Sequence, residues 1–413
     1  MGDQSNKSGM TRLEFLKMTA VAGVSLAVGG AGMALIDRAT GKDAATAAAE
    51  GSDRDDVVAL YGPHQAGIVT PQQTYMYLAS FRIVTSDRKQ LIQLLKDWTR
   101  FSDLSTSGGT MRTGDNPLLP PSDTGETFDL SASRLTATFG FGPSLFGVGG
   151  QDRFGIAGKL PKYLRDIPRM PKDNLDAALS GGDVVVQVCA DDQQVAFHAV
   201  RNFIRLSTGV ASLNWMSEGF ISGRPGTTPR NLFGFKDGTA NALHQTAEGY
   251  DDVVWAGEDE PEWLRGGTYM AYRKIRMLLE VWDRSSLAEQ QDTFGRFKES
   301  GAAYGAKEEF DEVDPARMPD TAHVRLAKES KQLIHRRGYS YTDGVDPRTG
   351  NVNAGLLFLS FQRNPEEQFL PMLRLMQSKD KLNEYTLHIG SGLFACPGGV
   401  REGEYVGQKL FEN

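Results

Sequence analysis

Residues 74–84 read TYMYLASFRIV, and residues 268–279 read TYMAYRKIRMLL. Each run is rich in aromatic and β-branched residues, which suit a strand packed on both faces. The segments after the two runs are also alike. After the first, Asp87 suits a helix start, and Leu91, Ile92, Leu94, Leu95 and Trp98 supply an apolar stripe up to Trp98. Strands are expected at Leu135–Phe141 and Val184–Cys189, and a helix at Gln193–Leu206. After the second run, a helix is expected at Leu287–Phe297, a strand at Gly355–Phe361, a helix at Glu366–Met376 and a short strand at Tyr385–Ile389. The same strand and helix order met twice implies an α+β fold of two similar halves. Residues 105–129 and 221–249 are rich in Gly, Pro, Ser and Thr and read as loops, the second as a linker that carries function.

The chain has 413 residues, 40% of them hydrophobic, with 45 Lys+Arg against 52 Asp+Glu and a formal net charge of −7. That composition suits a packed globular core and argues against disorder. With no basic excess to neutralise phosphates, nucleic acid is not an expected partner. The two cysteines, Cys189 and Cys396, are too few for a disulfide scaffold, a cysteine zinc site or an iron–sulfur cluster. Cys189 falls in a strand run and Cys396 in a Gly/Pro turn. Buried free thiols are the expectation, with a pairing left open for an exported protein.

The first fifty residues differ in kind. Lys7, Arg12 and Lys17 precede an uncharged, Ala- and Gly-rich stretch from Met18 to Ile36, and small residues follow at Ala44–Ala49. This order reads as an export signal, with an N-terminal membrane anchor as the rival. Residues 11–17, TRLEFLK, are similar to the twin-arginine export motif, with Leu13 where the second Arg would stand.

Six histidines are present, none spaced i, i+4, and no His-Glu-x-x-His occurs, so a helical zinc site is excluded. A haem needs only one axial histidine. The octapeptide Gly234-Phe235-Lys236-Asp237-Gly238-Thr239-Ala240-Asn241 sets one carboxylate between glycines that permit close backbone approach to a flat ligand. On its own the Asp-Gly pair is also a common turn.

That octapeptide resembles the distal GxxDG motif of dye-decolourising haem peroxidases. Four further segments resemble the same family in the same order: residues 61–68 (YGPHQAGI), 322–327 (AHVRLA), 335–341 (HRRGYSY) and 388–399 (HIGSGLFACPGG). The exported, deferrochelatase-like branch of the family matches best. The resemblance implies a duplicated ferredoxin-like fold with antiparallel sheets. Its division is residues 1–50 as signal and linker, 51–245 as the first domain and 246–413 as the second, which holds most of the haem.

The resemblance also implies one non-covalent haem b per chain. His323 is then the iron ligand, and Asp380, in Ser-Lys-Asp-Lys-Leu-Asn, is the carboxylate behind it. Asp237 is the distal acid, and Gly238 and Thr239 lie against the cofactor. Asn241 is a distal-pocket residue. Arg336 is the distal arginine, with Arg337 its competitor. His64 is expected to bond structurally and His198 to belong to the core.

The implied reaction is oxidation of organic donors, such as dyes and phenols, by hydrogen peroxide. Two alternatives stand beside it: release of iron from haem for iron uptake, and non-catalytic carriage of haem or iron to a permease. Homo-oligomerisation is left open.

Overall fold

A computed structural model describes residues 56–111, 116–224, 226–239 and 245–412. The export-like leader, Asn241 and His244 lie outside the described residues. The first half runs β1 (Tyr75–Ile83), α1 (Arg88–Thr106), β2 (Thr136–Phe141), β3 (Val184–Ala190), α2 (Gln193–Leu206) and β4 (Ala211–Phe220). The second runs β5 (Thr268–Met277), α3 (Leu287–Phe294), α4 (His323–Glu329), β6 (His335–Arg336), β7 (Tyr339–Val345), β8 (Val352–Gln362), α5 (Phe369–Lys379) and β9 (Thr386–Cys396). Both helices of the first half begin on an aspartate. Asp87 accepts from Lys89 N at 2.8 Å, and Asp192 accepts from Gln194 N and Val195 N at 2.7 and 3.0 Å.

Within the first half the strands lie side by side as β2-β3-β1-β4. The second half repeats this plan as β7-β8-β5-β9, all pairs antiparallel. The fold is therefore α+β, two ferredoxin-like units joined edge to edge. The seams are narrow: Phe141 pairs Ala395 across one, and Phe220 pairs Ser340 across the other. Since β5 pairs both β8 and β9, the sheet closes into a barrel, with β6 added beside β8.

Strand alternation then fills two cores. Met76 and Leu78 of β1 share an inner cluster with Trp215, Tyr272, Tyr339, Tyr341, Leu357 and Phe394. Tyr77, Ala79 and Phe81 point the other way, to a cluster shared with Leu91 and Trp98 of α1, Phe203 of α2 and Leu373 of α5. A strand buried on both faces reads as the unbroken apolar run seen in the sequence.

Two expectations are corrected. Tyr385–Ile389 is only the start of a strand that continues to Cys396, and Cys396 is buried in it rather than placed in a turn. The glycines that suggest a turn are there for space: a Cβ on Gly390 would lie 2.6 Å from the Leu179 carbonyl oxygen. Strands β4 and β7 were not foreseen. Cys189 and Cys396 are both free, and burial raises both thiols.

One polar network is sealed between the sheet and α5. Arg273 is 1% exposed and pairs with buried Asp173, with Ser391 Oγ at 3.0 Å and with His388 Nδ1 at 3.0 Å. Because His388 Nδ1 accepts, the neutral ring carries its proton on Nε2, 3.0 Å from the Gln377 amide. Turning that amide brings its otherwise unpartnered oxygen to the ring. Burial, with the Arg273 charge adding to it, pushes the His388 pKa down to about 3. The unfolded ring, at about 6.5, binds a proton first, so this group makes stability fall as pH drops from about 6.5 towards 3. Asp173→Ala leaves the guanidinium buried without its anion and is expected to cost about 3–5 kcal/mol, read from the urea midpoint.

Candidate active site

Four side chains distant in sequence form two pairs, His323 with Asp380 and Asp237 with Arg336. His323 is the first residue of α4, and Asp380 directly follows α5. The two Asp380 oxygens divide their work. Oδ1 accepts from Leu382 N at 2.8 Å, capping the turn at Lys381–Glu384, and Oδ2 lies 2.6 Å from His323 Nδ1. A carboxylate only accepts, so Nδ1 carries the proton and Nε2 is left with its lone pair. Lys381 N donates to Thr321 O at 3.0 Å, tying the segment after Asp380 to the approach of α4.

Burial by itself would lower the His323 pKa. The Asp380 charge and hydrogen bond outweigh it, Asp237 adds to them and Arg336 opposes, and the net direction is upward. His323 therefore lies within electrostatic reach of Asp237 and Arg336.

Asp237 and Arg336 form a direct ion pair. Arg336 belongs to the two-residue strand β6 and pairs with Ser360 of β8. Asp237 is set by its loop: Asp237 N donates to Pro229 O at 2.9 Å, and Arg230 bridges Lys236 in antiparallel fashion. Gly238 has φ +113, and a Cβ there would meet nothing within 4 Å among the described residues. Asp237, Gly238 and Arg336 line one cleft with Gln72, Ile221 and Ser340.

The sequence-derived residues are thus largely brought together. Thr239 is the exception in detail, because its hydroxyl donates to Glu309 Oε1 at 2.9 Å. Arg337 points elsewhere, is 2% exposed and donates to Thr70 O at 2.6 Å and to Gln73 Oε1, which leaves the cleft to Arg336. Glu309 was missed; it sits in the acidic run 308–314, where nothing in the pattern marks it.

The remaining described histidines are engaged. His64 Nδ1 lies 2.6 Å from Gly266 O, and its ring stacks on Trp255 at 3.7 Å. His198 is 2% exposed with Nδ1 2.9 Å from Glu126 Oε2, His388 is held by Arg273, and His335 is buried against Tyr250.

His323 differs. Its side chain keeps 31% of its surface accessible although Asp380 behind it is 4% exposed, and Nε2 has no hydrogen-bond partner among the described residues. An imidazole with an uncommitted lone pair and an accessible side chain, with an acid and a guanidinium within electrostatic reach, fits a haem iron. Both thiols, sealed in the barrel with raised pKa, do not compete as ligands. Replacing the carboxylate that orients the ring, Asp380→Asn, is expected to weaken haem binding about 10–100-fold, measured by haem transfer to apomyoglobin.

Comparison with known proteins gives the family. Sequence models of the Dyp-type peroxidase N-terminal and C-terminal regions match residues 65–221 and 228–401. The deferrochelatase of Escherichia coli K12 is 40% identical over 377 residues, covering 86% of this chain and 88% of that protein. Among solved structures, a DyP-type peroxidase from Streptomyces coelicolor superposes with a TM-score of 0.79 at 36% identity, covering 86% of this chain and 97% of that one. One from Cellulomonas bogoriensis gives 0.77 at 37% identity, covering 86% and 98%. With both halves of the barrel, the loop that carries Asp237 and the strand that carries Arg336 inside these matches, the chain belongs to the Dyp-type peroxidase family.

Proposed function

We propose that this chain is a haem b peroxidase that uses hydrogen peroxide to oxidise organic donors such as dyes and phenols. The observation that carries the reading is the proton on His323 Nδ1, fixed by Asp380 at 2.6 Å, which turns Nε2 into a ligand beside the Asp237–Arg336 pair. Haem, when bound, supplies the iron at which the peroxide oxygen–oxygen bond opens. His323 holds that iron through Nε2, and Asp380 strengthens the imidazole as a donor by accepting its other proton. The Asp237 carboxylate takes a proton from one peroxide oxygen and returns it to the other. The fixed Arg336 guanidinium stabilises the charge that develops as the bond opens, and needs no reorganisation to do so. The cleft that Asp237, Gly238 and Arg336 line gives a small oxidant a way to the acid, and Asn241 is read as a further distal-pocket residue. A purified sample with a Soret band that bleaches dye only with peroxide is the expected result; a Soret band without turnover leaves carriage as the role.

A second reading is favoured by the 40% identity to proteins described as deferrochelatases. It makes haem the substrate: iron leaves and two protons replace it on the ring nitrogens. Growth of protoporphyrin fluorescence on incubation with haem separates the two, since dye oxidation leaves the macrocycle of the cofactor metallated.

We read residues 1–50 as an export leader of the twin-arginine kind, and the chain as acting outside the cytoplasm, next to an iron-uptake permease under the second reading. The uncharged stretch Met18–Ile36 behind Arg12 and Lys17 supports export. We read residues 51–245 and 246–413 as the two domains, supported by one four-stranded unit ending at Phe220 and the other beginning at Thr268. A fusion of residues 1–50 to a folded reporter tests the leader, and a reporter retained in the cytoplasm would remove it.

A further inference from the structure

Among the described residues a Cβ on Gly238 would meet nothing within 4 Å, and the one ion pair of the Asp237 side chain is with the reacting partner Arg336. Proton transfer to a peroxide tolerates little displacement, since a shift of about 1 Å can cost about 10²-fold. The backbone bond from Asp237 N to Pro229 O fixes the loop from one side, and the flanking side chains fix it from another.

Both flanking residues reach for the same group. Thr239 Oγ1 donates to Glu309 Oε1 at 2.9 Å, and Lys236 Nζ lies 3.6 Å from Glu309 Oε2. The Lys236 stem also packs over Gly301, where an added Cβ would stand 2.6 Å from its Cγ. The backbone beneath Glu309 is clamped in turn. Arg296, 7% exposed, donates from one nitrogen to Glu309 O at 3.0 Å and to Gly301 O at 2.6 Å. At the far end of the loop Arg230 donates to Gly234 O, Lys298 O and Glu299 O, at 2.7, 2.6 and 2.6 Å. The loop is strapped to residues 296–309, and one carboxylate holds it on both sides of the acid.

Resting on the reading of Asp237 as the distal acid, we propose that Glu309 is the positioning residue for that acid. It is not among the residues that line the cleft at Asp237 and Arg336. It holds Lys236 and Thr239 so that Asp237 stands at a fixed point against Arg336.

The test uses full-length, haem-loaded enzyme and separates the two half-reactions. kcat/KM for hydrogen peroxide reports the step that Asp237 serves, and kcat/KM for the dye reports donor oxidation. Glu309→Ala is expected to lower the peroxide value about 10-fold, with the dye value, the Soret intensity and the haem content kept. Glu309→Gln retains an acceptor for Thr239 and loses only the charge facing Lys236, so it is expected to stay within about 3-fold of the unaltered enzyme. Thr239→Val, which deletes the other half of the same bond, is expected to fall with Glu309→Ala and decides the matter if that variant does not fold.

Asp237→Asn is measured alongside. If it is slow while Glu309→Ala and Thr239→Val keep the peroxide value, the inference is overturned and the distal-acid reading stands. Equal losses for peroxide and dye, with lower thermal stability, overturn it in favour of a general packing role. Unaltered rates in Asp237→Asn overturn both, because no acid then needs positioning.

Discussion

His323→Ala is expected to purify with most of its haem missing. Among the described histidines it alone sets Nδ1 against a carboxylate while keeping 31% of its side chain accessible; His64 holds its Nδ1 proton on the Gly266 carbonyl but stacks its ring on Trp255, and His198 faces Glu126 but is 2% exposed. Deleting the imidazole removes the one bond between protein and iron that the site is built to make, whereas weakening its partner Asp380 only detunes that bond. The two variants should therefore be ordered, with His323→Ala losing far more cofactor than Asp380→Asn. The measurement is the ratio of Soret to protein absorbance, followed by titration with added imidazole, which should restore part of the band by occupying the vacated position. Wild-type Soret intensity with an unchanged ligand spectrum in His323→Ala would place the iron ligand elsewhere. The fold should survive the change, because α4 is anchored through Leu326, which is fully buried, and through Ala322 in a small apolar cluster.

Asp237→Asn and Arg336→Leu should leave haem in place and slow the reaction with peroxide. General acid–base assistance is worth about 10²–10⁴-fold, and a single fixed electrostatic donor about 10²–10³-fold. Stopped-flow mixing with hydrogen peroxide, read at the Soret maximum, gives the rate constants directly. Because the two groups form one ion pair, removing either leaves the other misdirected as well as unpaired. The double variant is accordingly expected to be much less impaired than the product of the two single effects. Full additivity would mean that the groups act apart, and wild-type rates in both would remove them from the mechanism. Arg337→Leu gives a useful contrast: it breaks bonds to Thr70 and Gln73 behind the cleft, so it should cost stability more than peroxide reactivity.

Much of the fold was legible because the chain repeats itself. The runs beginning at Thr74 and Thr268 both became first strands, and helix Gln193–Leu206 was found at its observed limits. The misses share a cause. Strand β4, ASLNWMSEGF, is buried only at alternate positions and lacks an apolar run. The glycines in β9 look like turn residues until the neighbouring Leu179 carbonyl shows why a side chain would not fit. A single chain carries no record of what will press against it.

The site divides in the same way. Asp237, His323 and Asp380 were legible only because the short motifs around them resemble a known family, since an Asp-Gly pair or a lone histidine read by itself has a commoner structural meaning. Glu309 has no such mark, and neither does the engagement of Thr239 with it.

By itself the sequence determined which elements form, since local periodicity and capping act over a few residues, and which side chains have the acid, guanidinium and imidazole chemistry that a peroxide reaction needs. Only the tertiary structure decided which of two adjacent arginines faces the acid, which histidine joins a carboxylate on Nδ1 to an accessible side chain, and what holds the loop at Asp237. Those outcomes depend on contacts between residues tens to hundreds of positions apart, and closure of two half-sheets into one barrel is what brings such residues within hydrogen-bonding distance.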